Sequence, residues 1–165
     1  MILYDDILRD FQRDKVKYVL VGGMAFNLHG ATRNTADLDI LVEMSDENLK
    51  KIVTILKKRG YQVRQPVDPM GIANAKLRWE WIHKKNMKAF NFYKDKEMKE
   101  VDIIIYSPVS YETAAKKVIR MKMGSLVIPL ISIDHLIKMK QKADRPVDRL
   151  DIADLKEIKR LKGKR

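Results

Sequence analysis

The chain has 165 residues, 45% of them hydrophobic, no cysteine and a formal net charge of +12. That is enough chain for one domain with its own core, and it excludes a disordered chain, a disulfide scaffold, a thiolate metal site and a cysteine nucleophile. No stretch has the length and apolarity of a membrane span. The acidic start "MILYDDILRDFQRDK" lacks the basic n-region of a secretory signal, so a cytoplasmic protein without membrane attachment is expected.

In chain order, residues 2–13 place Ile2, Leu3, Ile7, Leu8 and Phe11 on one helical face. "VKYVLVGG" reads as a short buried strand ending in two glycines, and "MAFNLHG" as a helix stopped by Gly30. "TADLDILV" is the next strand. Ser45 caps a helix over "DENLKKIVTILKKRG", with Ile52, Ile55 and Leu56 inward and Gly60 as the stop. After the loop "YQVRQPVDPMG", Asn74 caps a helix through "AKLRWEWIHKKN", in which Leu77 and Trp81 fall one turn apart as core. Trp79 faces elsewhere and is a candidate for stacking a base.

"MKAFNFYKD" and "KEVDIIIYS" form an expected antiparallel hairpin. Ser110 starts a helix over "YETAAKKV", and "IRMKMGSLVIPLIS" is a second hairpin turning near Gly124. Ser132 caps "IDHLIKMKQKA", and a last helix is expected from about Val147 to Leu161. The predicted fold class is a mixed α+β (α/β) single domain. Its core lies at about 1–108 and its C-terminal hairpin and helices at about 109–165.

Charge is uneven along this plan. Residues 116–165 hold fifteen Lys or Arg against six Asp or Glu, while residues 1–43 hold five against seven. A basic C-terminal third suits a polyanionic partner, nucleotide or nucleic acid; a soluble Lys- and Glu-rich surface gives the same composition.

The chemistry concentrates in three acids placed where apolar residues are expected. Asp37 and Asp39 lie two apart in a strand, so both carboxylates point to one side. Like charges there cost free energy unless a cation neutralises them. Asp102 repeats the anomaly inside "EVDIIIY". If the two strands are neighbours the three carboxylates converge, a set of oxygens suited to Mg²⁺. Gly22 and Gly23 end a strand and open a helix, where bare backbone N–H groups can receive phosphate; a tight turn is the plainer account of the pair alone. His29, near a helix end, is a metal-ligand candidate or an ordinary structural histidine.

"VGGMAFNLHGATRNTADLDILV" resembles the signature of the DNA polymerase beta-like nucleotidyltransferase superfamily. That signature is a hydrophobic residue, a Gly-Gly pair, a spacer, and Asp-x-Asp between hydrophobics, followed by a third carboxylate on a later strand. Here the spacer is thirteen residues and Asp102 is the third acid. "LIKMK" and "RPVDRLDIADL" are similar to the C-terminal part of minimal members related to abortive-infection toxins.

The resemblance implies a nucleotidyltransferase fold, a small mixed sheet flanked by helices with further helices at its C-terminal end. It implies Mg²⁺ (or Mn²⁺) held by Asp37, Asp39 and Asp102 as catalytic residues, with an NTP as substrate. Nucleotide contacts are implied at Gly22, Gly23, Arg33, Thr35 and Lys140, with Arg145, Asp148 and Asp151 as accessories. Lys140 can also be read as part of a solvated basic face, and Asp148 as a helix N-terminal acid.

The expected activity is transfer of an NMP to an acceptor hydroxyl with release of pyrophosphate. tRNA is a candidate acceptor, aminoglycosides are another, and a protein partner or homodimer is a way to complete so small a site. A silent nucleotide-binding regulatory module and an RNA-binding protein are the alternatives.

Overall fold

A computed structural model describes residues 2–164. Its elements run α1 (Asp5–Arg13), β1 (Tyr18–Val21), α2 (Gly22–Leu28), β2 (Asp37–Val42), α3 (Asp46–Lys58), β3 (Gln62–Val63) and α4 (Ala75–His83). Then follow β4 (Ala89–Lys94), β5 (Lys99–Ile104), α5 (Tyr111–Ala115), β6 (Ile119–Met123), β7 (Leu126–Leu130), α6 (Ile133–Ala143) and α7 (Pro146–Lys162). All the strands join one mixed sheet in the order β3-β4-β5-β2-β1-β7-β6.

Both predicted hairpins form, as β4–β5 and β6–β7. The second is not an appendage, because β7 pairs in parallel with β1 and extends the sheet across the middle. The expected small sheet is therefore seven strands wide. The two acid-bearing strands lie side by side, β2 parallel to β5.

Alternation along these strands divides the sheet. Leu38, Ile40, Val101 and Ile103 are fully buried on one face, where Phe90 and Phe92 of β4 and Ile52 and Leu56 of α3 belong to the same core. The other face carries the polar residues between them. Serine or asparagine side chains cap four helices as expected: Ser45 accepts from Asn48 N–H, Asn74 from Leu77 N–H, Ser110 from Thr113 N–H and Ser132 from His135 N–H.

Some local expectations shift. The first helix begins at Asp5, not Ile2, because Tyr4 takes a left-handed conformation (φ +66°) and turns its ring into the core; Leu3 is left exposed. Met1 lies outside the described residues. In α4 Trp81 is buried and stacks on Phe90, but Leu77 is exposed. The inward position one turn before Trp81 belongs to Arg78, whose guanidinium donates to Ile72 O (2.6 Å) and Met44 O (2.8 Å). A buried arginine satisfied by carbonyls reads as a polar surface residue in sequence, so the helix seemed to need Leu77 inside. The last helix starts at Pro146 and runs to Lys162.

Candidate active site

The parallel register sets Asp39 beside Asp102 and Asp37 beside Glu100. All four acids share the face opposite the core, since their strand neighbours Leu38 and Val101 point the other way. Glu100 went unnoticed in the sequence, although its two-residue spacing from Asp102 repeats that of Asp37 and Asp39. It is taken up by an ion pair with Arg64. Among the described residues, Asp37, Asp39 and Asp102 form no ion pair.

Their titration reflects that lack. Burial, then the neighbouring charges of Asp102 and Asp37, push the Asp39 carboxyl up to about 7. Burial first, with Glu100 second, raises Asp37, and burial raises Asp102 against a hydrogen bond from Asn91. These acids are held together with no cation paired to any of them, and Arg145 and Lys140 offset the charge at Asp39 only in part.

The β1–α2 turn closes the site on one side. Val21 is the register partner of Asp39, so Gly22 meets that carboxylate directly. A Cβ on Gly22 would stand 2.7 Å from Asp39 Cγ, and the residue has φ +70°. Only glycine meets both conditions without strain. Gly23 receives Thr35 in the same way, with a notional Cβ 2.7 Å from Thr35 Oγ1. Thr35 thus packs on the start of α2 and sits at the mouth of the cleft.

The start of β2 is held from below by Tyr4, which the sequence did not mark. Its hydroxyl donates to Ala36 O (2.5 Å) and accepts from Glu100 N–H (2.9 Å), tying the residue before Asp37 to β5.

The α2–β2 loop and the C-terminal helices supply the cations. Arg33 Nη1 donates to Asp151 Oδ2 (2.5 Å), and so does Lys140 Nζ (2.6 Å), with Asp148 Oδ1 3.7 Å away. Arg145 grips Asp148 with Nε (2.7 Å) and Nη2 (3.1 Å). Asp148 also accepts the Arg145 backbone N–H (3.1 Å), so it serves as a helix N-terminal acid and as an anchor at once. The solvated face considered for Lys140 is not what forms: the residue is buried, its ammonium 5.4 Å from the Phe26 ring centre. Arg145, by contrast, is 64% exposed at the side chain.

Together these groups line one cleft of about 360 Å³, large enough for a small ligand. Gly22, Gly23, Arg33, Thr35 and Lys140 border it, as do all three acids of the predicted triad. Asp148 and Arg145 reach it; Asp151 stands behind them as the shared anion.

Two residues considered earlier fall elsewhere. His29 is buried and its Nε2 donates to Ile131 O (2.7 Å). Trp79 stacks on His83 of its own helix (4.5 Å between ring centres) and does not line the cleft.

The donors suit a hard divalent cation, since they are all carboxylate oxygens and carry uncompensated charge. Among the described residues they are not drawn into a finished cage. One Asp102 oxygen is turned to Asn91 Nδ2 (2.7 Å), which leaves the other free to face the cleft.

Residues 4–155 match the family model for aminoglycoside-2''-adenylyltransferase. The chain belongs to that family. It is accordingly a nucleotidyltransferase, in agreement with the superfamily signature.

Among solved structures, the chain is similar to the lincosamide antibiotic adenylyltransferase LnuA with lincomycin bound. That match has 21% identity, covers 93% of this chain and 94% of that one, and has a TM-score of 0.62. The crystal structure of ANT(2'')-Ia with adenylyl-2''-tobramycin matches at 14% identity over 95% of this chain and 91% of that one, TM-score 0.57. The solution structure of the antibiotic-resistance factor ANT(2'')-Ia matches at 14% over 93% and 80%, TM-score 0.57. At these identities the likeness establishes the fold. No curated protein gives a significant match.

Proposed function

We propose that this adenylyltransferase-family chain transfers AMP from ATP to a hydroxyl of a small-molecule acceptor, releasing pyrophosphate. The observation that carries the reading is the meeting, in one cleft, of three unneutralised acids, a glycine turn and arginine side chains. Asp37, Asp39 and Asp102 would hold Mg²⁺ or Mn²⁺. The ion, when bound, neutralises the triphosphate and the leaving pyrophosphate.

The chain's own residues do the rest. Bare backbone at Gly22 and Gly23 admits the triphosphate. Arg145 is exposed and aimed by Asp148, so it offers a charged fork to phosphate oxygens. Arg33 is fixed by Asp151 at the other wall, and Thr35 orients the loop before the acids. Lys140 acts from behind: buried between Asp148 and Asp151, it sets the cradle and lends its charge to the field at Asp39. Asp102 accepts the proton of the acceptor hydroxyl as that oxygen attacks the α-phosphorus, and the bond to pyrophosphate breaks.

Small-molecule acceptors gain support from the family and from the neighbours bound to lincomycin and to an adenylylated tobramycin. tRNA rests on the likeness of the C-terminal part to abortive-infection-toxin-type members and on the net charge of +12, and is the second reading. A cytoplasmic setting follows from the intracellular supply of ATP; no helix among the described residues is long and apolar enough to cross a membrane.

The test is pyrophosphate release from each of the four NTPs with Mg²⁺ and, in turn, lincomycin, tobramycin and total tRNA. The Asp37→Ala/Asp39→Ala double variant runs alongside. ATP-dependent release with an antibiotic, absent in the double variant, supports the reading; release that requires tRNA alone replaces the acceptor; equal release by the double variant refutes the site.

A further inference from the structure

On the side of the acids away from Gly22, the sheet carries a second polar arrangement that none of the proposed roles uses. Asn91 lies on β4 between Phe90 and Phe92, both fully buried, so its side chain is on the acid-bearing face. Its register partner is Asp102. Asp102 therefore has Asp39 on one side and Asn91 on the other.

Asn91 Nδ2 donates to Asp102 Oδ1 (2.7 Å). Its own Oδ1 accepts from Gln65 Nε2 (2.8 Å), and Gln65 Oε1 lies 3.4 Å from the Asn91 backbone N–H. Gln65 follows Arg64, whose N–H donates to Asn91 O (3.1 Å), so the chain is laid against β4 up to the point where the glutamine turns back.

Asparagine is a poor strand residue, and a β-branched side chain would serve a merely structural position better. What asparagine supplies is direction. An amide has a donor end and an acceptor end, and only the donor end can face a carboxylate. Gln65 decides which end that is. By donating to Asn91 Oδ1 it holds the amide oxygen away from Asp102 and the NH₂ toward it.

We infer that Asn91 is a positioning residue for Asp102 and that Gln65 sets its orientation, so that Asp102 meets the metal–nucleotide complex with one oxygen already fixed. This rests on the proposed metal role of Asp102. Partners behind a metal-binding carboxylate commonly change metal affinity by about 10–100-fold when lost.

The geometry ranks the variants in an order that simple packing does not give. Gln65→Ala removes one amide bond but leaves Asn91 free to keep donating to Asp102. Gln65→Glu keeps the size of the side chain and replaces its donor by acceptors. Asn91 must then turn its NH₂ toward Glu and its oxygen toward Asp102. The isosteric change is therefore the more damaging one. Asn91→Leu removes the donor while keeping the branch point of the side chain.

The experiment is a Mn²⁺ titration by electron paramagnetic resonance in the presence of a non-hydrolysable ATP analogue. It compares wild type, Gln65→Ala, Gln65→Glu, Asn91→Leu and Asp102→Ala, each with its thermal midpoint. Gln65→Glu and Asn91→Leu are expected to weaken Mn²⁺ by about 10-fold or more, and Gln65→Ala by less than about 3-fold, with midpoints near wild type. In turnover, kcat falls while KM for ATP holds.

Gln65→Glu binding as tightly as Gln65→Ala, or Asn91→Leu matching wild type, overturns the inference. So does loss of folding in both Gln65→Glu and Asn91→Leu, which would make the pair structural. If Asp102→Ala itself binds Mn²⁺ like wild type, the metal role of Asp102 fails first and takes the inference with it.

Discussion

The β1–α2 turn lies so near Asp39 that no Cβ fits between them, and Gly22→Ala tests that contact. Two costs are separable. Alanine at φ +70° costs about 1–2 kcal/mol for the left-handed backbone alone. Its methyl group would also stand 2.7 Å from Asp39 Cγ and 2.8 Å from Asp39 Cβ. Those atoms are close to the strand, so a turn of the carboxylate does not relieve the contact. The turn and the strand must move apart to admit the methyl group, an overpacking cost of about 1–3 kcal/mol.

Gly124→Ala supplies the backbone term by itself, since that glycine has φ +62° and open space where a Cβ would go. Gly22→Ala should therefore lose about 2–5 kcal/mol in urea unfolding and Gly124→Ala about 1–2 kcal/mol. For a chain of this size each kcal/mol lowers the thermal midpoint by about 2–4 °C. Turnover should separate them further. A displacement of about 1 Å at a reacting group can cost 10²-fold, so Gly22→Ala should be nearly inactive and Gly124→Ala unaffected. If Gly22→Ala costs no more than Gly124→Ala and retains Mn²⁺ affinity, the contact with Asp39 has been misjudged and the glycine serves the turn alone.

Lys140→Met should cost about 3–5 kcal/mol in urea unfolding, because Asp148 and Asp151 stay buried with a cation removed; a loss below about 1 kcal/mol would show that Arg33 and Arg145 suffice to hold them. The pH dependence follows from Asp39, whose folded pKa near 7 lies above its ordinary value of 3.8. Between those values the folded state keeps a proton that the unfolded chain has released, so metal-free stability falls as pH rises through that window. Mg²⁺ competes with the same proton. Its stabilisation of the protein, read as a rise in thermal midpoint, should be larger at about pH 8 than at about pH 5.5. An equal rise at both would remove Asp39 from the ion's ligands. Trp79→Ala should leave nucleotide binding and stability within about 0.5 kcal/mol of wild type, as expected for an exposed side chain away from the cleft; tenfold weaker ATP binding in calorimetry would contradict the placement.

What could be read ahead of the structure was whatever repeats at the period of an element. The β2 and β5 acids stood out because alternation demands apolar residues around them, and the glycine pair stood out between a strand and a helix. The hairpins and caps followed from short-range rules for the same reason. Lys140 was marked by resemblance as a nucleotide contact, but not its burial: Lys138 and Lys142 flank it, the run has the composition of a wetted face, and the acids on α7 that draw it inside leave no local pattern. Tyr4 and Asn91 escaped for a related reason. Their partners, Ala36 and Glu100 for one and Gln65 and Asp102 for the other, are set by strand register between distant segments. Leu77 was misplaced because periodicity counts side chains by polarity, and the arginine beside it takes the inner position by meeting carbonyls.

The bond from Arg33 to Asp151 joins residues 118 positions apart, across nearly the whole catalytic plan. During synthesis every acid of the triad leaves the ribosome well before α7 does. Such distant contacts carry the entropy of closing a long loop and form late. A growing chain can thus assemble its β2–β5 acids while the wall that orients Arg33 is still missing. A helix made well after the triad thus serves as the latch on a loop made before it, and the cleft is not whole until α7 has docked.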